Sequence, residues 1–131
     1  MEENFKLEII SPEKIVFSKE VQAVTLPSYE GEMTILKNHI SIITFLKPGI
    51  VKAGKSSEDS EKFFVEDGTV EFNNNNLVIL SESVINVKNI TKDFIAKLNE
   101  NTQNKLSEKN ISDHDKYILN HKLEAIKEIR I

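Results

Sequence analysis

Residues 30–51 read EGEMTILKNHISIITFLKPGIV, and this stretch contains the punctuation that decides the fold. It opens on a glycine turn at Glu30-Gly31-Glu32, passes through a polar loop that contains His39, and ends at a Pro48-Gly49 corner. Apolar runs fill the intervals between these points. Short strands separated by frequent turns are typical of an antiparallel β-sandwich or a flattened barrel.

The same rhythm extends over residues 5–87. Apolar and polar residues alternate from Phe5 to Ile9, as in a strand with one buried face. A longer alternating run from Val21 to Leu26 is expected to be closed by Pro27. The tract Asn73-Asn74-Asn75-Asn76 between two apolar runs predicts a hairpin, because Asn tolerates positive φ. Since Asn is abundant throughout the chain, we attribute the tract itself to compositional bias.

After Val87 the apolar spacing becomes helical. Thr91 is the predicted N-cap of a first helix, and Ser112 opens a second one in a pattern that resembles a capping box. We therefore predict a mixed β-then-α fold, with an antiparallel β-sandwich domain at residues 1–87 and an antiparallel two-helix hairpin domain at residues 88–131. Helices of this length are marginal alone in water, so we expect docking of the hairpin to depend on its contacts.

Composition excludes several classes of function. The chain has 131 residues, a net charge of −4 and no cysteine, so a thiolate metal site and a cysteine nucleophile are excluded. The mild acidity argues against nucleic acid as a partner. No apolar run reaches the roughly 20 residues of a membrane span, and the N-terminus lacks the basic start of a signal peptide. His114 and His121 are about 10.5 Å apart along a helix, too far to share a metal. We expect no catalytic site, no metal and no cofactor.

A family resemblance accompanies these patterns. The pattern Gly-Glu-apolar-x-Ile-apolar-x-x-His at residues 31–39, followed by Lys-Pro-Gly-Ile at residues 47–50, resembles the epsilon subunit of the F-type, proton-driven ATP synthase. The resemblance covers nearly the whole chain. It implies a non-catalytic rotor subunit of the central stalk that couples proton flow to ATP synthesis. It also implies a peripheral position on the cytoplasmic face of the bacterial inner membrane, as part of the synthase.

The resemblance implies two contact sites on the sandwich. A contact with the c-ring is expected at the acidic turn, which comprises Glu30, Gly31 and Glu32. A contact with the gamma subunit is expected at the loop residues His39, Ile40, Ser41 and Ile42. Taken without the resemblance, the residues favour a solvated turn and a structural loop at these places.

The resemblance also implies a regulatory role for the second helix. Its cations would reach the alpha/beta hexamer transiently and restrain ATP hydrolysis; they are Lys116, Lys122, Lys127 and Arg130. An ordinary mixed-charge helix face explains the same residues. Nucleotide-binding members carry an Ile/Leu-Asp-x-x-Arg-Ala motif at the helix entrance, and this chain has Ile-Thr-Lys-Asp-Phe-Ile at residues 90–95. We therefore predict no tight ATP binding.

One alternative explains the two periodicities equally well. It is a free-standing β-sandwich binding module, for an extended peptide or a sugar, with the helices as a dimerisation arm. It predicts self-association or a small ligand rather than a gamma subunit as the partner. An enzyme remains a third class, which an enclosed apolar pocket around His39 with a nearby carboxylate would favour.

Overall fold

The computed structural model describes residues 3–56 and 58–129. In this part of the chain, ten strands precede a 3-10 turn and two helices. The strands are β1 (Phe5–Ile10), β2 (Ile15–Val21), β3 (Ala23–Ser28), β4 (Gly31–Leu36), β5 (Ile42–Leu46), β6 (Gly49–Gly54), β7 (Ser60–Val65), β8 (Gly68–Asn73), β9 (Asn76–Leu80) and β10 (Val84–Asn86). The 3-10 turn spans Val87–Asn89, and the helices are α1 (Lys92–Leu106) and α2 (Asp113–Glu128).

The strands form one sheet that curls back on itself. Its order is β10-β7-β6-β3-β5-β8-β9-β1-β2, with β4 paired to β3. The rings of Phe17 in β2 and Phe63 in β7 lie 5.2 Å apart, so strands from opposite ends of this order meet in the core. The predicted sandwich or flattened barrel followed by helices is confirmed. Its pairing is antiparallel except between β1 and β9, which run parallel.

Strand β3 differs from the sequence prediction. Residues 23–26 are buried consecutively instead of alternating, and Pro27 lies inside the strand instead of closing it. Strand β3 pairs with β4 along its length, with β6 at residues 23–25 and with β5 only at Ser28. Pro27 therefore falls where one edge passes from β6 to β5, a place that tolerates a residue without an N–H donor.

Both helices begin where the sequence predicts. The Thr91 hydroxyl accepts a hydrogen bond from the Phe94 N–H at 3.1 Å, and the Ser112 hydroxyl accepts one from the Asp115 N–H at 3.0 Å. Each cap satisfies a helix N–H that has no partner within the helix. The connection between the helices includes Asn110 at a φ of 65°.

Helix α2 lies against the sandwich. Ile50 and Phe64 from the strands form an apolar cluster with Ala125, Ile126 and Ile129 at the end of α2. This cluster is separate from the larger core inside the sandwich. The division into domains at residue 87 stays a prediction.

Candidate interaction surfaces

The acidic turn joins β3 to β4 and is shaped by Ser28. The buried Ser28 hydroxyl donates to the Gly31 carbonyl at 2.6 Å and accepts from the Glu30 N–H at 3.2 Å. Gly31 has a φ of 117°, which glycine adopts far more readily than other residues. The side chains of Glu30 and Glu32 are consequently exposed. Sequence reasoning missed Ser28, although a serine ahead of a glycine turn is a recognised local signal.

Tyr29, the residue before the acidic turn, contacts the second helix. The Tyr29 ring stacks on the Tyr117 ring at 6.2 Å, with the planes 17° apart, and Tyr117 meets the His121 ring edge-on at 4.4 Å. Burial raises the pKa of Tyr29 above its ordinary 10.0, and the nearby Tyr117 and Asp67 raise it further. An aromatic contact thus joins α2 to the residue that leads into the acidic turn.

The His39 loop connects β4 to β5. Its half-exposed imidazole packs edge-on against the Phe72 ring at 5.9 Å. Ile40 is 78% exposed, and the exposed Ser41 donates to the Asn73 side-chain oxygen at 3.0 Å. Ile42 instead packs against the sandwich core. Three of the four residues predicted to contact a partner therefore lie on the surface, and the fourth supports them from inside.

A mostly apolar row that sequence reasoning missed crosses the outer face of the same sheet. Five residues face one another in register across five strands, and we call them the outer row: Phe45 in β5, Thr69 in β8, Leu80 in β9, Ile10 in β1 and Ile15 in β2. Phe45 and Ile15 are each 58% exposed, and Leu80 is 49% exposed. The only sequence signal is that β5 is apolar in both alternation phases.

An open groove of about 650 Å³ runs beside the outer row. Its walls include Ile10, Thr69 and Leu80 from the row and Asp67 and Ser81 behind it. The Ser81 hydroxyl lies 2.7 Å from the Asp67 carbonyl oxygen, so this wall is internally hydrogen-bonded. An exposed apolar patch with a polar rim is typical of a surface that binds another protein.

The lysines of α2 differ in exposure and in pairing. Lys116 and Lys127 are exposed, whereas Lys122 is 9% exposed and pairs with Glu66 of the sandwich. The other carboxylate oxygen of Glu66 accepts from the Ser83 hydroxyl at 3.0 Å. Arg130 lies outside the described residues. The sequence did not indicate that Lys122 would bind the sandwich.

The described residues offer neither a metal site nor a membrane-spanning helix. Within residues 3–56 and 58–129 there is no group of three or more His, Asp or Glu side chains placed to hold a metal ion. Neither α1 nor α2, the two described helices, is long and apolar enough to cross a membrane.

Comparisons with known sequences identify relatives along the whole chain. Residues 4–87 match the model of a family described as the beta-sandwich domain of the ATP synthase delta/epsilon chain. The chain is 50% identical over 129 residues to the ATP synthase epsilon chain of Pelagibacter ubique (strain HTCC1062), an alignment covering 97% of this chain and 98% of that one. It is 36% identical over 103 residues to the ATP synthase epsilon chain of Hydrogenobaculum sp. (strain Y04AAS1), covering 79% and 74%.

Solved structures share the fold. One chain from the cryo-EM structure of Euglena gracilis mitochondrial ATP synthase, OSCP/F1/c-ring in rotational state 1, superposes with a TM-score of 0.78 at 18% identity, covering 98% of this chain and 82% of that one. A chain from the central stalk/c-ring structure of Tetrahymena thermophila mitochondrial ATP synthase gives a TM-score of 0.63 at 15% identity, with coverages of 94% and 93%.

Proposed function

This chain belongs to the ATP synthase epsilon chain family, and from that premise we propose that it couples rotation driven by proton flow to ATP synthesis as a central-stalk subunit. It is an accessory subunit, and the chemistry of phosphoryl transfer takes place on other chains. The observation that carries this function is the 50% identity with an epsilon chain over 129 residues, an alignment that includes the sandwich and both helices. The free-standing binding module is set aside because it does not account for the family match over residues 4–87 or for the identity with an epsilon chain over 129 residues.

We propose that the outer row and the His39 loop together form the surface that binds the gamma subunit. Strand β5 joins them, since it begins at Ile42 directly after the loop and carries Phe45 of the outer row, and both expose large apolar side chains, above all Ile40 and Phe45. Each such side chain removed from water contributes about 1.5–3 kcal/mol. A stalk that transmits torque requires this kind of broad apolar contact, because exposed ion pairs alone contribute too little.

We propose that the acidic turn meets the c-ring. Glu30 and Glu32 present two carboxylates on a turn whose backbone is fixed by Ser28 and Gly31. They suit cationic groups on a partner, although each exposed ion pair contributes only about 0–1 kcal/mol. The charge contribution to this contact therefore falls as salt concentration rises.

The proposed restraint of ATP hydrolysis requires α2 to leave the sandwich. In the observed position Lys122 is already paired with Glu66, and Lys116 and Lys127 are the exposed cations among the described residues of α2. A helix can shift the enzyme between states only if it binds one of them better than the other. Helix α2 would thus have two competing binding partners. One is the sandwich, which holds α2 through Glu66, and the other is the acidic segments of the alpha/beta hexamer.

The expected location is the cytoplasmic face of the bacterial inner membrane, which the chain reaches through the synthase. Isolation of the tagged full-length chain from native membranes tests this function. Gamma and the c-ring are expected to be recovered with it. Membranes that lack the chain and still make ATP at normal yield per translocated proton would contradict it.

A point variant tests the gamma surface. Phe45→Glu places a charge at the end of the outer row that shares β5 with the His39 loop, without touching the core, and it is expected to abolish recovery of gamma. Phe94→Glu is the matched control, because Phe94 is also exposed, at 37%, but lies on α1. Equal recovery of gamma with both variants would exclude the outer row as its binding surface.

A further inference from the structure

The β8–β9 hairpin closes with two consecutive asparagines in the left-handed region. Asn74 has a φ of 51° and Asn75 a φ of 60°, between the paired residues Asn73 and Asn76. This is the two-residue turn whose twist matches that of the strands, and Asn is one of the few residues that adopt it readily. The turn therefore presents the Asn75 side chain in a fixed direction.

That side chain is bonded to the His39 loop. The Asn38 N–H donates to the Asn75 side-chain oxygen at 2.7 Å, and the Asn75 amide nitrogen donates to the Asn38 side-chain oxygen at 3.0 Å. Asn38 is itself at a φ of 66°. The two residues are 37 positions apart in the chain, so this reciprocal pair joins two separate turns.

Neighbouring bonds extend the connection. The Ser41 hydroxyl donates to the Asn73 side-chain oxygen at 3.0 Å, on the far side of His39. The Asn75 carbonyl accepts from the Lys6 N–H at 3.1 Å, which anchors the turn to β1. The His39 loop is therefore held on both sides of the histidine by one asparagine turn.

Within the loop, the His39 N–H donates to the Leu36 carbonyl at 3.1 Å. Residues 37–41 contain no proline, and ordering such a segment loses conformational entropy. A binding loop that is ordered only on contact weakens the complex by the entropy of ordering it. Hydrogen bonds made before binding remove that loss.

We propose that Asn38 and Asn75 form a clamp that positions His39 and Ile40 for binding of the gamma subunit. This inference rests on the proposed function for its partner. The clamp itself acts on the loop, so its effect on loop order is measurable without any partner. Asn38 and Asn75 are positioning residues, because they act through His39 and Ile40.

The decisive variant is Asn75→Gly in the full-length chain. Glycine adopts positive φ without strain, so the turn survives while the amide group is lost. Asn74→Gly is the matched control, because it makes the same exchange one residue earlier in the same turn, where the side chain is exposed. Asn38→Asp is the conservative variant, since it keeps the oxygen that accepts from Asn75.

Two readouts apply to all three variants. Backbone NMR order parameters at His39, Ile40 and Ser41 are expected to fall in Asn75→Gly and to stay at the wild-type level in Asn74→Gly and Asn38→Asp. The dissociation constant for purified gamma subunit is expected to rise about tenfold in Asn75→Gly, which is the effect of losing one or two hydrogen bonds. The other two variants are expected to stay within about twofold of wild type.

The outcomes separate the clamp from the proposed function. If Asn75→Gly and Asn74→Gly give the same loop order, the clamp is overturned. A second outcome is that loop order falls only in Asn75→Gly while gamma binds all variants equally. The clamp would then order the loop without a role in binding, and the proposed role in gamma binding would be overturned. If the wild-type chain does not bind gamma, the proposed function fails, and so does the partner assigned to the clamp.

Discussion

The ammonium group of Lys122 on α2 pairs with the carboxylate of Glu66, which follows β7 on the sandwich. The lysine side chain is 11% exposed and the glutamate side chain 33% exposed, so water screens the pair mainly on the glutamate side. Removing one member of a buried pair leaves the other charge without a partner, and this is more unfavourable than replacing both members. The contact therefore fixes where α2 docks.

Glu66→Gln is expected to loosen α2 from the sandwich. The uncompensated Lys122 destabilises docking by about 1–2 kcal/mol, a value reduced from that of fully buried pairs because Glu66 is partly solvated. Hydrogen exchange of α2 amides is then expected to accelerate about tenfold, while the strands remain protected.

The matched control for that variant is Glu71→Gln, which removes the same charge from an exposed position on β8. The double variant Glu66→Gln/Lys122→Met replaces both charges and is expected to recover most of the protection. If Glu71→Gln accelerates exchange in α2 as much as Glu66→Gln, the ion pair has no specific part in docking.

The stacked tyrosines predict a dependence on alkaline pH. The pKa of Tyr29 is raised, first by burial and then by Tyr117 and Asp67. The docked form disfavours the phenolate of Tyr29. The contribution of the neutral Tyr29 to docking of α2 is therefore fully present below the ordinary tyrosine pKa of 10.0 and is lost as the pH rises through the raised pKa. Docking of α2 is thus expected to weaken in strong alkali.

The chain has two tyrosines, so each can be titrated alone. In Tyr117→Phe, the absorbance of tyrosinate reports Tyr29 only. Its midpoint is expected above 10.0, since burial remains, yet below the midpoint of Tyr29 in the wild-type chain, which NMR resolves. A midpoint at or below 10.0 in Tyr117→Phe would show that the ring is not shielded by α2.

Much of the fold follows from local sequence, because its signals are local. The caps at Thr91 and Ser112 depend on one side chain and one N–H three residues later. The Asn73–Asn76 hairpin depends on the tolerance of asparagine for positive φ. The parallel pairing of β1 with β9 and the consecutive burial in β3 depend instead on strands distant in sequence, which no local pattern encodes.

The candidate surfaces were predictable only in part for the same reason. The acidic turn and the His39 loop have local signatures, and the family resemblance pointed to them. The outer row exists only through the register of five strands, and the partner of Lys122 lies 56 positions away along the chain. The asparagine tract looked like compositional bias, yet Asn73 and Asn75 both hold the His39 loop.

Close packing against Pro27 explains why residue 49 at the Pro48-Gly49 corner is glycine. A Cβ at Gly49 would lie 2.5 Å from the Cβ of Pro27 and 2.7 Å from its Cγ, and the pyrrolidine ring cannot rotate away. Gly49→Ala is expected to destabilise the sandwich by about 1–3 kcal/mol, measured by denaturant unfolding.

A second substitution isolates the cause. Pro27→Gly removes the ring, so the double variant Pro27→Gly/Gly49→Ala is expected to be more stable than the sum of the single effects predicts. Additive effects would mean that the alanine methyl is accommodated without touching Pro27.

ATP is not expected to bind the hairpin tightly. At the entrance to α1, Thr91 stands where nucleotide-binding members of the family carry Asp, and Phe94 stands where they carry Arg, so the anionic and cationic members of that motif are both missing. Calorimetric titration of the full-length chain with ATP is expected to give no micromolar isotherm. A micromolar dissociation constant would mean that other residues replace the motif.

The helical hairpin is expected to open more easily than the sandwich. In α1 the buried residue is Thr102, whose hydroxyl donates to the Leu98 carbonyl at 2.7 Å, and the docking cluster around Phe64 is small beside the sandwich core. Few buried apolar contacts mean a low free energy of local opening. In the wild-type chain, amides of α1 and α2 should therefore exchange about 100-fold faster than those of β1, β8 and β9. Because the local opening of α2 is also the step that would free Lys122 from Glu66, equal protection of helices and strands would remove the basis for a helix that moves between two partners.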